Sequence, residues 1–165
     1  MNDQKSTASL DEEQMRQAIE LFYFSYRGFT AEPDAILAAM GMGRAHHRVV
    51  YFVGRNPGVT VSALLGILRI TKQSLARVLL HLVSEGYVSQ TPGPVDRRQR
   101  LLALTEKGQA LERELTARQS RLLARAFAAA GPDGIAAFRA ILEGLVAEPD
   151  RRLLPNAPSA DAAEP

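Results

Sequence analysis

The most constraining feature of the chain is residues 59–104, where two short amphipathic segments precede an arginine-rich hairpin. Apolar residues recur at helical spacing in both segments. They are Val61, Leu64, Leu65 and Leu68 in the first, and Leu75, Val78, Leu79 and Leu82 in the second. Thr60 and Thr71 stand where a threonine hydroxyl caps a helix. The pattern therefore predicts two helices joined by a tight turn at Arg69 and Ile70.

The segment after the second helix predicts a β-hairpin, here called the wing (residues 87–104). Gly86 ends the helix because glycine tolerates left-handed backbone, and residues 87–90 and 100–104 are typical of two short strands. Pro92-Gly93-Pro94 predicts the turn between them. A helix of major-groove size beside a cationic hairpin is the arrangement of a winged helix-turn-helix, which reads duplex DNA.

Charge is distributed unevenly along the chain. The formal net charge is only +2, which by itself does not indicate a polyanionic partner. Residues 69–100, however, carry six basic and two acidic side chains, so this segment is net +4 and the remainder is net −2. Positive charge is therefore concentrated on the predicted winged helix.

The composition argues against several other classes of protein. The chain has no cysteine, which excludes disulfides, thiolate zinc sites and thiol redox switches. No stretch approaches the roughly 20 apolar residues of a membrane span, and the polar N-terminus lacks a secretory pattern. We therefore expect a cytoplasmic protein that needs neither a membrane nor a cofactor.

Helical spacing also predicts elements on both sides of the winged helix. A first helix is expected from about Asp11 to Arg27, a connection at Gly28 to Pro33, and a second helix from Asp34 to about Arg55. After the wing, Thr105 begins a long helix, which Gly131-Pro132-Asp133-Gly134 interrupts before a final helix. The expected order is α-α-α-α-β-β-α-α, a mainly α fold.

These elements define the expected domain boundaries. Residues 1–9 are polar and expected to be mobile, and residues 10–148 are expected to form one domain. Within it, residues 57–104 form the DNA-binding part, which we call the reader. The remaining residues, 149–165, are rich in proline, alanine and acidic side chains, a composition typical of a disordered tail.

Three motifs resemble the MarR family of bacterial transcription regulators. In order, they are Leu82-Val83-Ser84-Glu85-Gly86-Tyr87-Val88, Asp96-Arg97-Arg98 and Leu102-Ala103-Leu104-Thr105-Glu106-Lys107-Gly108. The resemblance covers about residues 10–147 and implies an obligate homodimer that binds double-stranded DNA at a pseudo-palindromic operator. We assign the dimer interface to residues 10–30 and 105–148, which are too apolar for the surface of a lone monomer.

The second helix of the reader supplies the first group of candidate DNA contacts. These residues are Thr71, Lys72, Gln73, Ser74 and Arg77. Gln73 and Ser74 can touch base edges, and Arg77 can reach a guanine edge or a phosphate. The alternative for Arg77 is a solvated side chain paired with Glu85 or another carboxylate. Lys72 is expected to contact phosphate, and Thr71 is first a helix cap.

The wing supplies the second group, Asp96, Arg97, Arg98 and Arg100. An arginine fits the narrow minor groove, where the negative potential is enhanced. We expect Arg97 or Arg98 to enter that groove and Arg100 to flank the DNA backbone. Asp96 would orient one guanidinium through a bidentate pair. The alternative is a charged hairpin that only prevents edge-to-edge pairing.

His46, His47 and Tyr51 form a candidate effector pocket. In the resembled family, small aromatic or phenolic effectors bind near the junction of the dimer helices and the reader, and ordinary core packing is the alternative. Adjacent helix residues point about 100° apart, so His46 and His47 do not predict a metal site. His81 is the only other histidine of the chain.

Together these features predict a dimeric, sequence-specific DNA-binding transcription regulator. We expect a repressor, with a small ligand as a candidate modulator. The alternative is a winged-helix interaction module that holds an acidic partner protein. The sequence shows no nucleophile-base-acid set, glycine-rich phosphate loop or metal-ligand spacing that would indicate an enzyme.

Overall fold

The computed structural model describes residues 11–154, and within them the chain forms six helices and three short strands. The helices are α1 (Glu12–Ala39), α2 (Arg44–Arg55), α3 (Val61–Leu68), α4 (Lys72–Ser84), α5 (Glu106–Leu145) and α6 (Glu148–Arg151). The strands are β1 (Val59–Thr60), β2 (Val88–Pro92) and β3 (Arg100–Leu104). The predicted mainly α, winged helix-turn-helix fold is confirmed. None of the described helices is long and apolar enough to cross a membrane.

The connection between the first two helices lies later than predicted. α1 continues through Pro33 to Ala39, and Gly41, at φ +70°, lies in the turn that follows. Pro33 has no N–H to donate to the Phe29 carbonyl oxygen one turn earlier. The side-chain amide of Gln119 on α5 donates to that oxygen instead, at 3.4 Å. The predicted break at Gly28 to Pro33 is therefore wrong, because a distant helix satisfies the carbonyl that the proline leaves open.

The two helices of the reader begin at the predicted caps. The Thr60 hydroxyl accepts from the Ala63 N–H and the Thr71 hydroxyl from the Ser74 N–H, each at 3.1 Å. Between the helices, Arg69 takes a left-handed conformation at φ +49°. The apolar side chains predicted to form the buried stripe of α4 are indeed buried; they are Leu75, Val78, Leu79 and Leu82. Local capping and a buried apolar face thus set the position of α4.

The sheet contains one strand that the sequence did not predict. β3 is central, with β2 on one side and β1 on the other, and both pairings are antiparallel. Val88 pairs with Leu104 in the wing, and Val59 of β1 pairs with Leu102. A two-residue strand is too short to show a period of two in the sequence. Only its pairing with β3 therefore identifies β1.

The C-terminal half contains one predicted break and one unpredicted helix. Gly131 interrupts the helical backbone of α5 at φ +71° and ψ 179°, as expected. α6 lies at the start of the segment that we expected to be disordered. Pro149 stands in its first turn, where the missing N–H has no helical partner to lose, and Asp150 pairs with Arg69 of the reader at 2.8 Å.

The predicted disorder therefore does not apply to residues 149–154, where the Leu153 and Leu154 N–H groups also donate to carbonyl oxygens of α6. The rest of the expected tail, residues 155–165, lies outside the described residues, as does the expected mobile segment at residues 1–9.

The core lies between α2, α4, the sheet and the first half of α5. Its completely buried aliphatic side chains include Leu37, Val49, Val50, Val53, Leu64, Leu75, Leu82, Leu102 and Leu115. Other large apolar side chains remain exposed on α1 and on the second half of α5. They include Ile19, Phe22, Tyr23, Phe138, Ile141 and Leu145. Such apolar faces on a single subunit are typical of a subunit interface.

Candidate nucleic-acid interface

The outer face of α4 brings the first group of candidate residues together. Thr71, Lys72, Gln73, Ser74 and Arg77 are all exposed, opposite the buried stripe. Gln73 and Arg77 are one helical turn apart and so share a face. Within residues 11–154, the side chains of Lys72, Gln73 and Arg77 make no hydrogen bond or ion pair, so the alternative pair between Arg77 and Glu85 is not formed. These three polar side chains are available to a ligand.

Ser74 is held at the helix start. The Thr71 hydroxyl donates to Ser74 Oγ at 2.8 Å, in addition to accepting from the Ser74 N–H. Both hydroxyls therefore belong to the cap of α4. This position suits a contact with the DNA backbone at the N-terminus of the helix, where unpaired N–H groups favour an anion.

The tip of the wing, residues 93–99, is shaped by backbone contacts. The Gly93 N–H donates to the Gln99 carbonyl oxygen at 3.0 Å, and the Gln99 N–H donates to the Asp96 carbonyl oxygen at 3.1 Å. A Cβ at Gly93 would lie 2.7 Å from that Asp96 oxygen. Only glycine fits there without a shift of the tip.

Asp96 acts on the backbone of the tip rather than on an arginine side chain. Its Oδ1 accepts from the Arg98 N–H at 2.9 Å, the arrangement of an aspartate that stabilises its own turn. The predicted bidentate pair with a guanidinium is absent from the part of the chain that the structure describes. Arg97, Arg98 and Arg100 are exposed there without an ion pair. Asp96 therefore stabilises the backbone of the tip and leaves the arginine side chains unpaired.

His46 connects α2 to α4 instead of lining a pocket. The Gly43 N–H donates to His46 Nδ1 at 3.1 Å, so that nitrogen carries no proton and the neutral ring carries its proton on Nε2. Nε2 then donates to His81 Nδ1 at 3.0 Å. Burial, followed by repulsion from His81, lowers the pKa of His46. No group of three or more metal-binding side chains occurs among the described residues.

A cavity of about 380 Å³ lies where α1, α2 and α5 meet. Its lining includes Tyr26, Phe29, Arg44, His47, Arg48 and Tyr51. Two of the three predicted pocket residues, His47 and Tyr51, thus line one cavity, and His46 does not. Burial lowers the pKa of His47, which favours the neutral ring.

The two arginines of the cavity differ in their partners. Arg44 pairs with Asp34 at 2.8 Å and also donates to the Thr30 hydroxyl at 3.2 Å. Arg48 makes no ion pair within residues 11–154, and it donates to the Tyr26 hydroxyl at 3.5 Å. Arg48 is therefore the cation of the cavity whose charge is not neutralised there. Neither arginine was among the predicted pocket residues, since a single arginine on a helix usually indicates an exposed face.

Comparisons with known proteins agree with this geometry. The model of the MarR family matches residues 40–99, which span α2, the reader helices and most of the wing. The HTH-type transcriptional regulator PetP of Rhodobacter capsulatus is 49% identical over 143 residues, which cover 87% of this chain and 86% of PetP.

Solved structures show the same fold. The crystal structure of Streptococcus pneumoniae FabT in complex with DNA has a TM-score of 0.71 at 19% identity, covering 79% of this chain and 94% of FabT. The reduced form of MarR from E. coli has a TM-score of 0.59 at 22% identity, covering 78% of this chain and 95% of MarR. Regulators of this family bind DNA as dimers. The chain therefore belongs to the MarR family and is a DNA-binding transcription regulator rather than an enzyme.

Proposed function

We propose that the protein is a homodimeric repressor that binds a pseudo-palindromic operator and releases it when a small anionic ligand fills the cavity between α1, α2 and α5. One observation carries the DNA-binding part of the proposal. The outer face of α4 and the tip of the wing both present long polar or cationic side chains without an internal ion pair. The site of action is the cytoplasm, where a bacterial operator lies.

In this proposal, α4 of each subunit enters the major groove. Gln73 suits the N6 and N7 groups of adenine, and Arg77 suits the O6 and N7 groups of guanine. Lys72 contacts a phosphate, and the hydroxyls of Thr71 and Ser74 meet the DNA backbone at the start of the helix. The two recognition helices of the dimer would address half-sites about 34 Å apart, one turn of DNA.

The wing reaches the flanking minor groove. Arg97 and Arg98 are exposed at the tip and carry no ion pair within the described chain, so each can replace counterions on the phosphates or enter the groove. Arg100, at the start of β3, lies beside the DNA backbone. Asp96 keeps the tip in one conformation through its bond to the Arg98 N–H.

Dimerisation sets the spacing between the two readers. The exposed apolar side chains of α1 and the second half of α5 support an interface at residues 10–30 and 105–148, as expected from the sequence. Because the cavity lies between α1, α2 and α5, a ligand there contacts both interface helices and the helix that packs on α4. Arg48, with Tyr51 and the neutral His47, suits a small aromatic carboxylate.

The salt dependence of DNA binding tests the proposal. A duplex selected from a random library should bind the wild-type protein with an affinity that falls steeply with salt concentration. Arg97→Ala and Arg98→Ala should each weaken binding and reduce the slope of log K against log salt by about one unit. Gln73→Ala should change the preferred base and leave the slope unchanged.

Arg152→Ala is the matched control, because Arg152 is exposed and lies outside both the reader and the proposed dimer interface. Its salt slope should equal that of the wild type. Equal slopes in all variants would contradict the role of the wing. Absence of duplex binding, together with capture of an acidic protein, would favour the alternative interaction module.

A further inference from the structure

One residue of α4 does not fit either the core or the polar contacts described so far. Leu80 is 72% exposed, whereas Leu75, Val78, Leu79 and Leu82 of the same helix are all less than 9% exposed. An exposed leucine contributes nothing to the core, since burial is what makes an apolar side chain stabilising. Its position on the helix therefore needs to be compared with that of the candidate DNA contacts.

Leu80 lies on the same face as Gln73 and Arg77. At 100° per residue, Arg77 is about 40° from Gln73 and Leu80 about 20° from it on the other side. Ala76 stands one turn before Leu80 and next to it on the surface. We call these four exposed residues, Gln73, Ala76, Arg77 and Leu80, the outer stripe of α4. The stripe thus combines two polar side chains with two apolar ones.

The outer stripe matches the chemistry of the major groove. Adenine and guanine edges present hydrogen-bonding groups, and thymine alone presents a C5-methyl group, which apolar side chains contact. Leu80 lies two helical turns, or about 10 Å, beyond Gln73 along the axis of α4. A side chain there meets a different base pair from the one that Gln73 reads.

We propose that Leu80, flanked by Ala76, reads the C5-methyl group of one thymine in each half-site. Leu80 is thereby a specificity-determining residue that no polar motif in the sequence reveals. The inference rests on the proposed entry of α4 into the major groove. It predicts a preference for thymine that depends on the methyl group alone, since leucine has no hydrogen-bonding group with which to tell bases apart.

Replacement of thymine by deoxyuracil tests this inference, because deoxyuracil lacks only that methyl group. The operator is first selected with the wild-type protein from random duplexes, and each thymine is then replaced in turn. Replacement at one position per half-site should weaken wild-type binding by about fourfold, which is the change in affinity expected when one buried methyl group is lost. Leu80→Ala should bind the thymine and deoxyuracil duplexes equally. Leu80→Met, which retains a long apolar side chain, should keep the discrimination.

Two controls separate recognition from folding. Leu153→Ala removes another exposed leucine outside α4 and should discriminate like the wild type. Leu80→Ala should unfold at the wild-type temperature or above, because alanine favours a helix and little buried area is lost. Wild-type binding that ignores every deoxyuracil, or a Leu80→Ala variant that discriminates as well as the wild type, would overturn the inference alone. Failure to select any duplex would overturn the proposed function and the inference with it.

Discussion

Gly108 lies where the start of α5 passes closest to the start of the wing. Its N–H donates to the Thr105 hydroxyl at 3.1 Å, and a Cβ at this position would overlap the carbonyl oxygen of Tyr87. That oxygen is also held by the Thr105 N–H at 3.1 Å. Neither backbone segment can move without breaking the contact between wing and α5. The absence of a side chain at Gly108 is therefore a packing requirement.

Gly108→Ala should lower the free energy of unfolding by about 1–3 kcal/mol, the usual cost of overpacking a core. The measurement is urea unfolding at fixed protein concentration. Gly66→Ala is the matched control, since a Cβ at Gly66 in α3 meets nothing within 4 Å. That variant should gain about 0.5–1 kcal/mol because alanine is the better helix former. A similar loss in both variants would mean that the contact with Tyr87 does not decide the effect.

At the scale of elements, the bond between His46 and His81 joins α2 to α4. The bond from the Gly43 N–H to His46 Nδ1 exists only when His46 is neutral, since a proton on that nitrogen would remove the acceptor. Burial and His81 lower the pKa of His46 below its ordinary value of 6.5. The pKa of His47 is also lowered, by burial and to a smaller extent by Arg48, while Asp34 and Glu112 oppose that shift.

Because the pKa values of His46 and His47 are both lowered, the free energy of unfolding should depend on pH in one direction. A histidine whose pKa is lowered by folding binds its proton more readily in the unfolded chain. Its stabilising contribution is therefore complete above pH 6.5 and decreases as the pH falls toward the folded-state pKa. Thermal unfolding of the wild type should show a lower free energy of unfolding at pH 5.5 than at pH 7.5.

His46→Gln should lose part of this pH dependence, and the double variant with His47→Gln should lose more. The same thermal unfolding series, run between pH 7.5 and 5.5, provides the comparison. A slope in His46→Gln as steep as that of the wild type would assign the pH dependence to other groups.

At the scale of the whole molecule, the cavity lies where α1 and α5, the proposed interface helices, meet α2. A ligand changes operator affinity only if it binds the DNA-competent and DNA-incompetent arrangements unequally. Benzoate, a simple aromatic carboxylate, should weaken operator binding by at least about fivefold at saturation, the lower end of typical allosteric coupling. Benzyl alcohol, which has the same ring and no charge, should have less effect.

Arg48→Gln should bind the operator like the wild type and lose most of the response to benzoate. The measurement is operator affinity by fluorescence anisotropy at fixed salt and increasing ligand. Operator affinity that stays constant up to millimolar benzoate would remove an aromatic carboxylate as the ligand of the cavity.

The sequence alone determined the central part of the fold, because its determinants are local. Threonine caps, the apolar spacing of α3 and α4 and the turn composition of the wing act within a few residues of one another. The outer face of α4 and the arginines of the wing follow directly from these elements. The exposed polar positions of α4 are the ones that do not belong to its buried apolar stripe.

Tertiary structure decided the features that depend on contacts between distant segments. Gln119 donates to the Phe29 carbonyl oxygen that Pro33 leaves open, so α1 continues through the proline. β1 forms as a strand because it pairs with β3, and His46 bonds to His81 instead of lining the cavity. Each contact joins residues at least 35 positions apart in the chain. The spacing of residues along one segment contains no information about such partners, since folding alone brings them together.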